Sequence, residues 1–150
     1  MKIAVASDHA GYEYKEQVKT FLDQRGYEVM DFGTHSAQPC DYPDYIRPAA
    51  QAVAEGKFDF GIVFGGSGNG EAMVANKVAG IRCAVAWDNL SAQLARLHNN
   101  ANMISIGQRM MSIEEALEII QTFIATEFQG GRHEERLKKM LDAERQCRDS

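Results

Sequence analysis

The sequence predicts an α/β domain of three layers, α-β-α and Rossmann-like: a five-stranded parallel sheet in flavodoxin-like order, with a helix added at the C-terminal end. Apolar runs of strand length alternate with amphipathic stretches of helix length, which means βαβ units and a parallel sheet covered on both faces. With 150 residues, 45% of them hydrophobic, there is room for one domain, residues 1–150, around one well-buried core. The polar and glycine-rich stretches fall just past apolar runs, where an open parallel sheet carries its ligand.

Ile3-Ala4-Val5-Ala6 reads as a buried strand ending at Asp8. Tyr12 to Arg25 follows as a helix, with Val18, Phe21 and Leu22 at helical spacing and Gly26 as its stop. Glu28 to Phe32 is the second strand. The segment from Gly33 to Pro43 is polar, with glycine and proline, hence a loop, and helix returns from Tyr45 to Glu55. Asp59 to Phe64 is the third strand and enters a glycine cradle, after which Ala72 to Val78 is a short helix. Arg82 to Ala86 and Met103 to Ile106 are the fourth and fifth strands, with a helix over Ser91 to His98 between them. Ser112 opens a helix that runs to Thr126, and Glu115 three residues on completes the signature of a capping box. The last helix spans Arg132 to Arg145, with Leu137, Met140 and Leu141 as an apolar stripe that has no sheet left to cover and suits a dimer arm.

Composition removes several classes of function. Net charge is −5 and the basic residues are scattered, so nucleic acid is not an expected partner. The opening MKIAVASDHAG is neither a signal peptide nor a membrane span, which predicts a cytoplasmic protein. Cys40, Cys83 and Cys147 are odd in number and far apart, against a disulfide framework or a cysteine zinc site; they read as free thiols, with Cys83 in the core.

With strand order 2-1-3-4-5 the order reverses between the first and third strands. The residues past those strands are Asp8-His9-Ala10-Gly11 and Gly65 to Glu71. The same rim is expected to collect Trp87-Asp88, the nearby His98-Asn99-Asn100, and Gly107-Gln108-Arg109. Gly70 is followed by Glu71-Ala72, not by the Lys and Ser or Thr of a nucleotide-binding loop. One or two glycines would make a tight turn; four in the six positions Gly65 to Gly70 point to close backbone approach by a ligand. Backbone N–H groups at a helix start stabilise negative charge, including an oxyanion that develops only during reaction. Glu71, in the first turn, then reads as a general base. An acid beside an oxyanion cradle suits removal of a proton alpha to a carbonyl and its return to the neighbouring carbon through a cis-enediolate. The rival, a metal-assisted hydride shift, needs a carboxylate and histidine cluster. His9, His35, His98 and His133 show no ligand spacing, so the expectation is no metal and no cofactor.

Five stretches, SDHAGYEYK, DYPDY, GGSGNGEAMVANKVAGIRCA, ARLHNNANMISIGQRM and GGRHEERL, together resemble the ribose-5-phosphate isomerase B family, which also contains galactose-6-phosphate isomerases. The likeness runs from Ile3 to about Leu137. Some members carry a catalytic cysteine where this chain has Gly65; others use a glutamate after the last glycine, and this chain fits that type, with the base at Glu71 and no catalytic role for a cysteine. The resemblance implies that Asp8 and His98 assist ring opening and that Ser67 sits where O1 and O2 exchange a proton. It puts Tyr42 and Asn99 on the sugar and Gly66, Gly68, Asn69 and Gly70 around it. It also implies a phosphate site of His9, Arg109, Arg132 and Arg136, the last two reaching in from the partner of a homodimer or a dimer of dimers. On charge pattern alone, Asp8 could be a helix N-cap, His98 a dipole partner, and Arg132 and Arg136 a solvated face. The expected reaction is interconversion of ribose 5-phosphate and ribulose 5-phosphate. Another aldose phosphate of four to six carbons, or a non-catalytic module that binds a phosphosugar or nucleotide, are the alternatives.

Overall fold

The computed structural model describes residues 1–150. Five strands, β1 (Lys2–Ser7), β2 (Glu28–Asp31), β3 (Phe60–Gly65), β4 (Cys83–Val85) and β5 (Met103–Gly107), form one parallel sheet. Six helices accompany it: α1 (Tyr12–Gln24), α2 (Pro43–Ala54), α3 (Asn69–Ala75), α4 (Asn89–Asn99), α5 (Ile113–Ala125) and α6 (Arg132–Asp149). Successive strand residues point to opposite faces, so each strand feeds two cores. Ile3, Val5, Ile62, Phe64, Ile104 and Ile106 join Val18, Leu22, Ala92, Ile119 and Phe123 of α1, α4 and α5. Ala4, Ala6, Val63 and Met103 join Ile46, Ala49, Ala50 and Ala75 of α2 and α3. The second core is rich in alanine, which lets α2 and α3 lie close to the sheet.

The sheet order is β2-β1-β3-β5-β4, so the last two strands are exchanged relative to the flavodoxin-like order. The burial of the two strands explains the exchange. β5 is buried at every position and takes the inner place beside β3, while the three residues of β4 are only half-buried and close the edge. The Asn76 side chain brackets that edge, accepting from the Cys83 N–H (2.8 Å) and donating to its carbonyl (2.9 Å). The reversal between β1 and β3 stands as expected.

Several local readings are refined. α3 starts at Asn69, earlier than Ala72, because Gly68 at φ 85° turns the chain directly into the helix. Gly11, not Asp8, is the N-cap of α1; the Asp8 carboxylate accepts the Gly11 N–H (3.0 Å) from just before it. Ser112 accepts the Glu115 N–H (3.1 Å), but the Glu115 carboxylate takes the serine hydroxyl rather than the backbone, leaving half a capping box. The complete box lies at the start of α4, between Asp88 and Ser91. All three cysteines are free, and Cys83 is half-buried at the sheet edge rather than central. Its surroundings are still tight enough that burial pushes the thiol up to about 12. No helix is long and apolar enough to cross a membrane.

Candidate active site

The site is built on the carboxyl end of β3. Backbone bonds from the extension of β5 hold the loop that follows: Gln108 N–H donates to Gly65 (2.8 Å) and Arg109 N–H to Gly66 (3.0 Å). The Ser105 hydroxyl, buried inside β5, donates to the Gly68 carbonyl (2.7 Å). Ser67 is exposed on the loop and its hydroxyl accepts the Asn69 N–H (3.2 Å). The N–H groups of Ser67, Gly68 and Gly70 find no acceptor within the chain. They are donors held in place and free to meet a developing negative charge.

Glu71, in the first turn of α3, is 4% exposed and folds back against Gly65, where a side-chain carbon would collide with its carboxylate. Burial pushes the Glu71 carboxyl above the usual range; its own backbone N–H opposes this, and the charge and hydrogen bond of the neighbouring Asp8 add to the rise. Asp8 is itself buried at the end of β1. On the next residue, His9 Nδ1 accepts the Cys40 N–H (3.2 Å), which leaves Nε2 as the protonated nitrogen and a donor. Tyr42, just before α2, lies over Gly70, where a methyl group would come 2.7 Å from its ring. Arg109 lies over Gly66 in the same way, at 3.0 Å. Asp8, His9, Tyr42, Gly66, Ser67, Gly68, Asn69, Gly70, Glu71 and Arg109 therefore share one rim.

His98 and Asn99 do not join it, contrary to their expected place on the carboxyl rim. α4 follows β4 and runs back along the sheet, so its last residues return to the amino edge. Arg82, immediately before β4, donates to the Asn99 carbonyl (3.0 Å) and the Asn100 carbonyl (2.8 Å), which fixes that end. Glu71 stands at the far end of β3, a strand of about 20 Å. At the amino edge His98 has its own company. The His133 ring stacks on it, 4.3 Å between centroids and 16° apart, and Gln129 N–H donates to Leu97 (3.1 Å). Arg132 and Arg136 flank His133 and are exposed. Neither they nor Arg109 enters an ion pair within the chain, so the guanidinium groups of Arg132 and Arg136 face solvent in one subunit. Burial, with His98, Arg132 and Arg136 nearby, holds His133 below the usual histidine range.

Two polar groups of these clusters escaped the sequence reading. Ser105 sits in an apolar strand and gave no signal beyond its hydroxyl. His133 lies between the two arginines in GGRHEERL, and an imidazole at a buried helix start was the clue available. A cavity of about 620 Å³ lies elsewhere, under the free half of α6, lined by Ile81, Cys83, Ala101, Met140 and Leu141 with Arg82 and Glu144. Its acid, Glu144, is already engaged by the Gly80 N–H (3.1 and 3.3 Å) beside Arg82, and the cavity has no glycine cradle of free N–H donors like that at the β3 rim.

A buried acid set in a glycine cradle at the switch point of a parallel sheet defines a ligand site of an open α/β fold. A family model described as Ribose/Galactose Isomerase matches residues 3–140. Ribose-5-phosphate isomerase B of Escherichia coli (strain K12) is 41% identical over 143 residues, covering 95% of this chain and 96% of that one. Among solved structures, ribose-5-phosphate isomerase B of Clostridium thermocellum superposes with a TM-score of 0.96 at 46% identity, over 97% of this chain and 99% of that one. The enzyme of Mycoplasma genitalium with bound ribulose-5-phosphate gives 0.93 at 34% identity, over 96% of each chain. The chain belongs to the ribose/galactose isomerase family.

Proposed function

We propose that this protein, one isomerase domain over residues 1–150, interconverts D-ribose 5-phosphate and D-ribulose 5-phosphate by metal-free proton transfer. Glu71 carries the reading: an acid lodged among free N–H donors, with its proton affinity raised by burial, is the arrangement a carbon-proton base requires. A pure phosphate binder gains nothing from an acid in its anion cradle. Asp8 and His98 open the furanose. Glu71 then takes the proton from C2, and the electron pair left behind moves onto O1 as the C1–C2 double bond forms, giving a cis-enediolate whose O1 and O2 face the N–H groups of Ser67, Gly68 and Gly70. Ser67 passes a proton between the two oxygens, and Glu71 returns its proton to C1. His9 Nε2 and Arg109 hold the phosphate, and Tyr42 closes over the sugar.

The opposite-edge placement of His98, Asn99, Arg132 and Arg136 leads to the second part of the proposal. These four reach the Glu71 rim from a second copy of the chain, so each site of a homodimer takes its base from one subunit and its ring-opening histidine and two phosphate arginines from the other. A place in the pentose phosphate pathway goes with that substrate, and a cytoplasmic location is part of the same reading. The test is ribose 5-phosphate in deuterated water: the unaltered protein should yield ribulose 5-phosphate labelled at C1, and Glu71→Gln should bind substrate yet turn over roughly 100-fold more slowly. Unlabelled product, or full turnover by Glu71→Gln, removes the base from Glu71.

A further inference from the structure

Lys15 is fully buried in α1, and every proton of its ammonium is spoken for. Nζ bonds both carboxylate oxygens of Asp31 (2.7 and 2.6 Å) and the Thr34 carbonyl (2.8 Å). Asp31 also accepts from Lys19 (2.7 Å) and from the Gly33 N–H (2.8 Å). The lysine thus closes a turn, residues 31–34, around the end of β2. A buried ion pair is a poor device for stability alone, because desolvation offsets most of the attraction and apolar residues of similar volume often serve as well. What the pair supplies here is geometry.

The turn is bonded directly to the site. Ser7 N–H donates to Gly33 (2.7 Å) and Thr34 N–H to Ser7 (2.8 Å), which sets the end of β1 one residue before Asp8. Gly33, at φ 102°, packs against the Tyr45 ring, where a methyl group would lie 2.7 Å from Cε1. Tyr45 stands in the first turn of α2, three residues after Tyr42, and Tyr45 N–H donates to the Tyr42 carbonyl (3.2 Å). One buried cation therefore reaches the two walls of the cradle, Asp8 beside Glu71 and Tyr42 over Gly70, without touching either.

We infer that Lys15 is a positioning residue of the active site: its clamp on Asp31 and Thr34 sets Asp8 against Glu71 and Tyr42 against the glycine cradle. This rests on the isomerase reading above. Asp8 is the charged group beside Glu71 and opposes its ionisation, while Tyr42 and Arg109 stand over Gly70 and Gly66 of the same cradle. Loosening the clamp withdraws Asp8, and the acid limb of kcat/KM then moves to lower pH.

The experiment is Lys15→Met, assayed with ribose 5-phosphate across pH beside the unaltered protein and Leu22→Ala, a cavity variant on the buried face of the same helix. The expected result is a folded Lys15→Met protein whose kcat/KM is lower by about 10-fold to 100-fold, the scale of a misplacement of about 1 Å, with its acid limb shifted down. Leu22→Ala should lose stability and keep the pH profile. A folded Lys15→Met protein with kcat/KM within about twofold of the unaltered one, or a loss with an unmoved acid limb, overturns the inference. If Lys15→Met does not fold, Lys15→Met/Asp31→Asn removes the excess charge while keeping an acceptor for Gly33. Failure of that variant to fold makes Lys15 a folding determinant and ends the positioning role. An unaltered protein that leaves ribose 5-phosphate unchanged ends the isomerase reading and this inference with it, whereas an active unaltered protein with an equally active variant ends only this one.

Discussion

Gly65 and Glu71 exclude one another's alternatives. A side-chain carbon at position 65 falls on the Glu71 carboxylate, so a nucleophilic side chain there and an acid in the first turn of α3 compete for one volume. Gly65→Ala should therefore fold and lose roughly 100-fold in kcat/KM as the acid is displaced, which steady-state assay and circular dichroism together would reveal. Glu71→Gln should have the opposite effect on stability. A carboxyl whose folded-state pKa is raised stabilises the fold below its unfolded pKa and gives up that contribution as pH rises through the folded value. At neutral pH the neutral amide is then the better buried group, and Glu71→Gln should melt above the unaltered protein while its turnover collapses; a lower melting temperature at neutral pH contradicts the raised pKa. Replacing Cys40, Cys83 and Cys147 by serine should leave substantial activity, because none lies in the cradle and burial keeps the Cys83 thiol protonated. At this scale the sequence was most readable where chemistry is dense. The cradle and its acid stand in consecutive positions, whereas Lys15 and Ser105 act through partners 16 and 37 residues away.

Element order carried more information than residue proximity did. A helix after a parallel strand runs antiparallel to it, so the end of α4 had to return to the amino edge; that placement was available from the alternation of strands and helices alone. Reading His98 into the carboxyl rim took nearness along the chain for nearness in space. The exchange of β4 and β5 was less accessible, since it turns on which of two short apolar runs buries more completely, and Cys83 to Val85 differs from Met103 to Gly107 mainly in length. Helix ends follow the same division. Ser112 was recognised by its Glu115, while the tighter box at Asp88 and Ser91 lacks the usual acidic third residue. Asp88→Ala should cost about 1 kcal/mol in urea unfolding with the pH optimum unmoved, because β5 stands between the start of α4 and the cradle at the end of β3. A shifted optimum would mean that the start of α4 reaches the chemistry.

The whole molecule raises the question that one subunit leaves unanswered, how Glu71 and His98 would meet one sugar in their proposed roles when the length of the sheet lies between them. If a second copy supplies His98, a chain carrying Glu71→Gln and a chain carrying His98→Asn are each nearly inactive as homodimers, since every site lacks one group. Mixed in one dimer, they place both lesions in one site and neither in the other, because the intact Glu71 and the intact His98 come from different chains. Random reassociation of equal amounts makes half of the molecules mixed, with one working site of two, so activity should recover to about a quarter of the unaltered level in a two-fold symmetric dimer. Arg136→Ala in place of His98→Asn should recover in the same proportion, because His133 stacks on His98 and ties the start of α6 to the same cluster. Native mass spectrometry reports whether subunits have exchanged. Mixed dimers that form and stay inactive would return His98 to its own chain and leave the two edges of the sheet chemically independent.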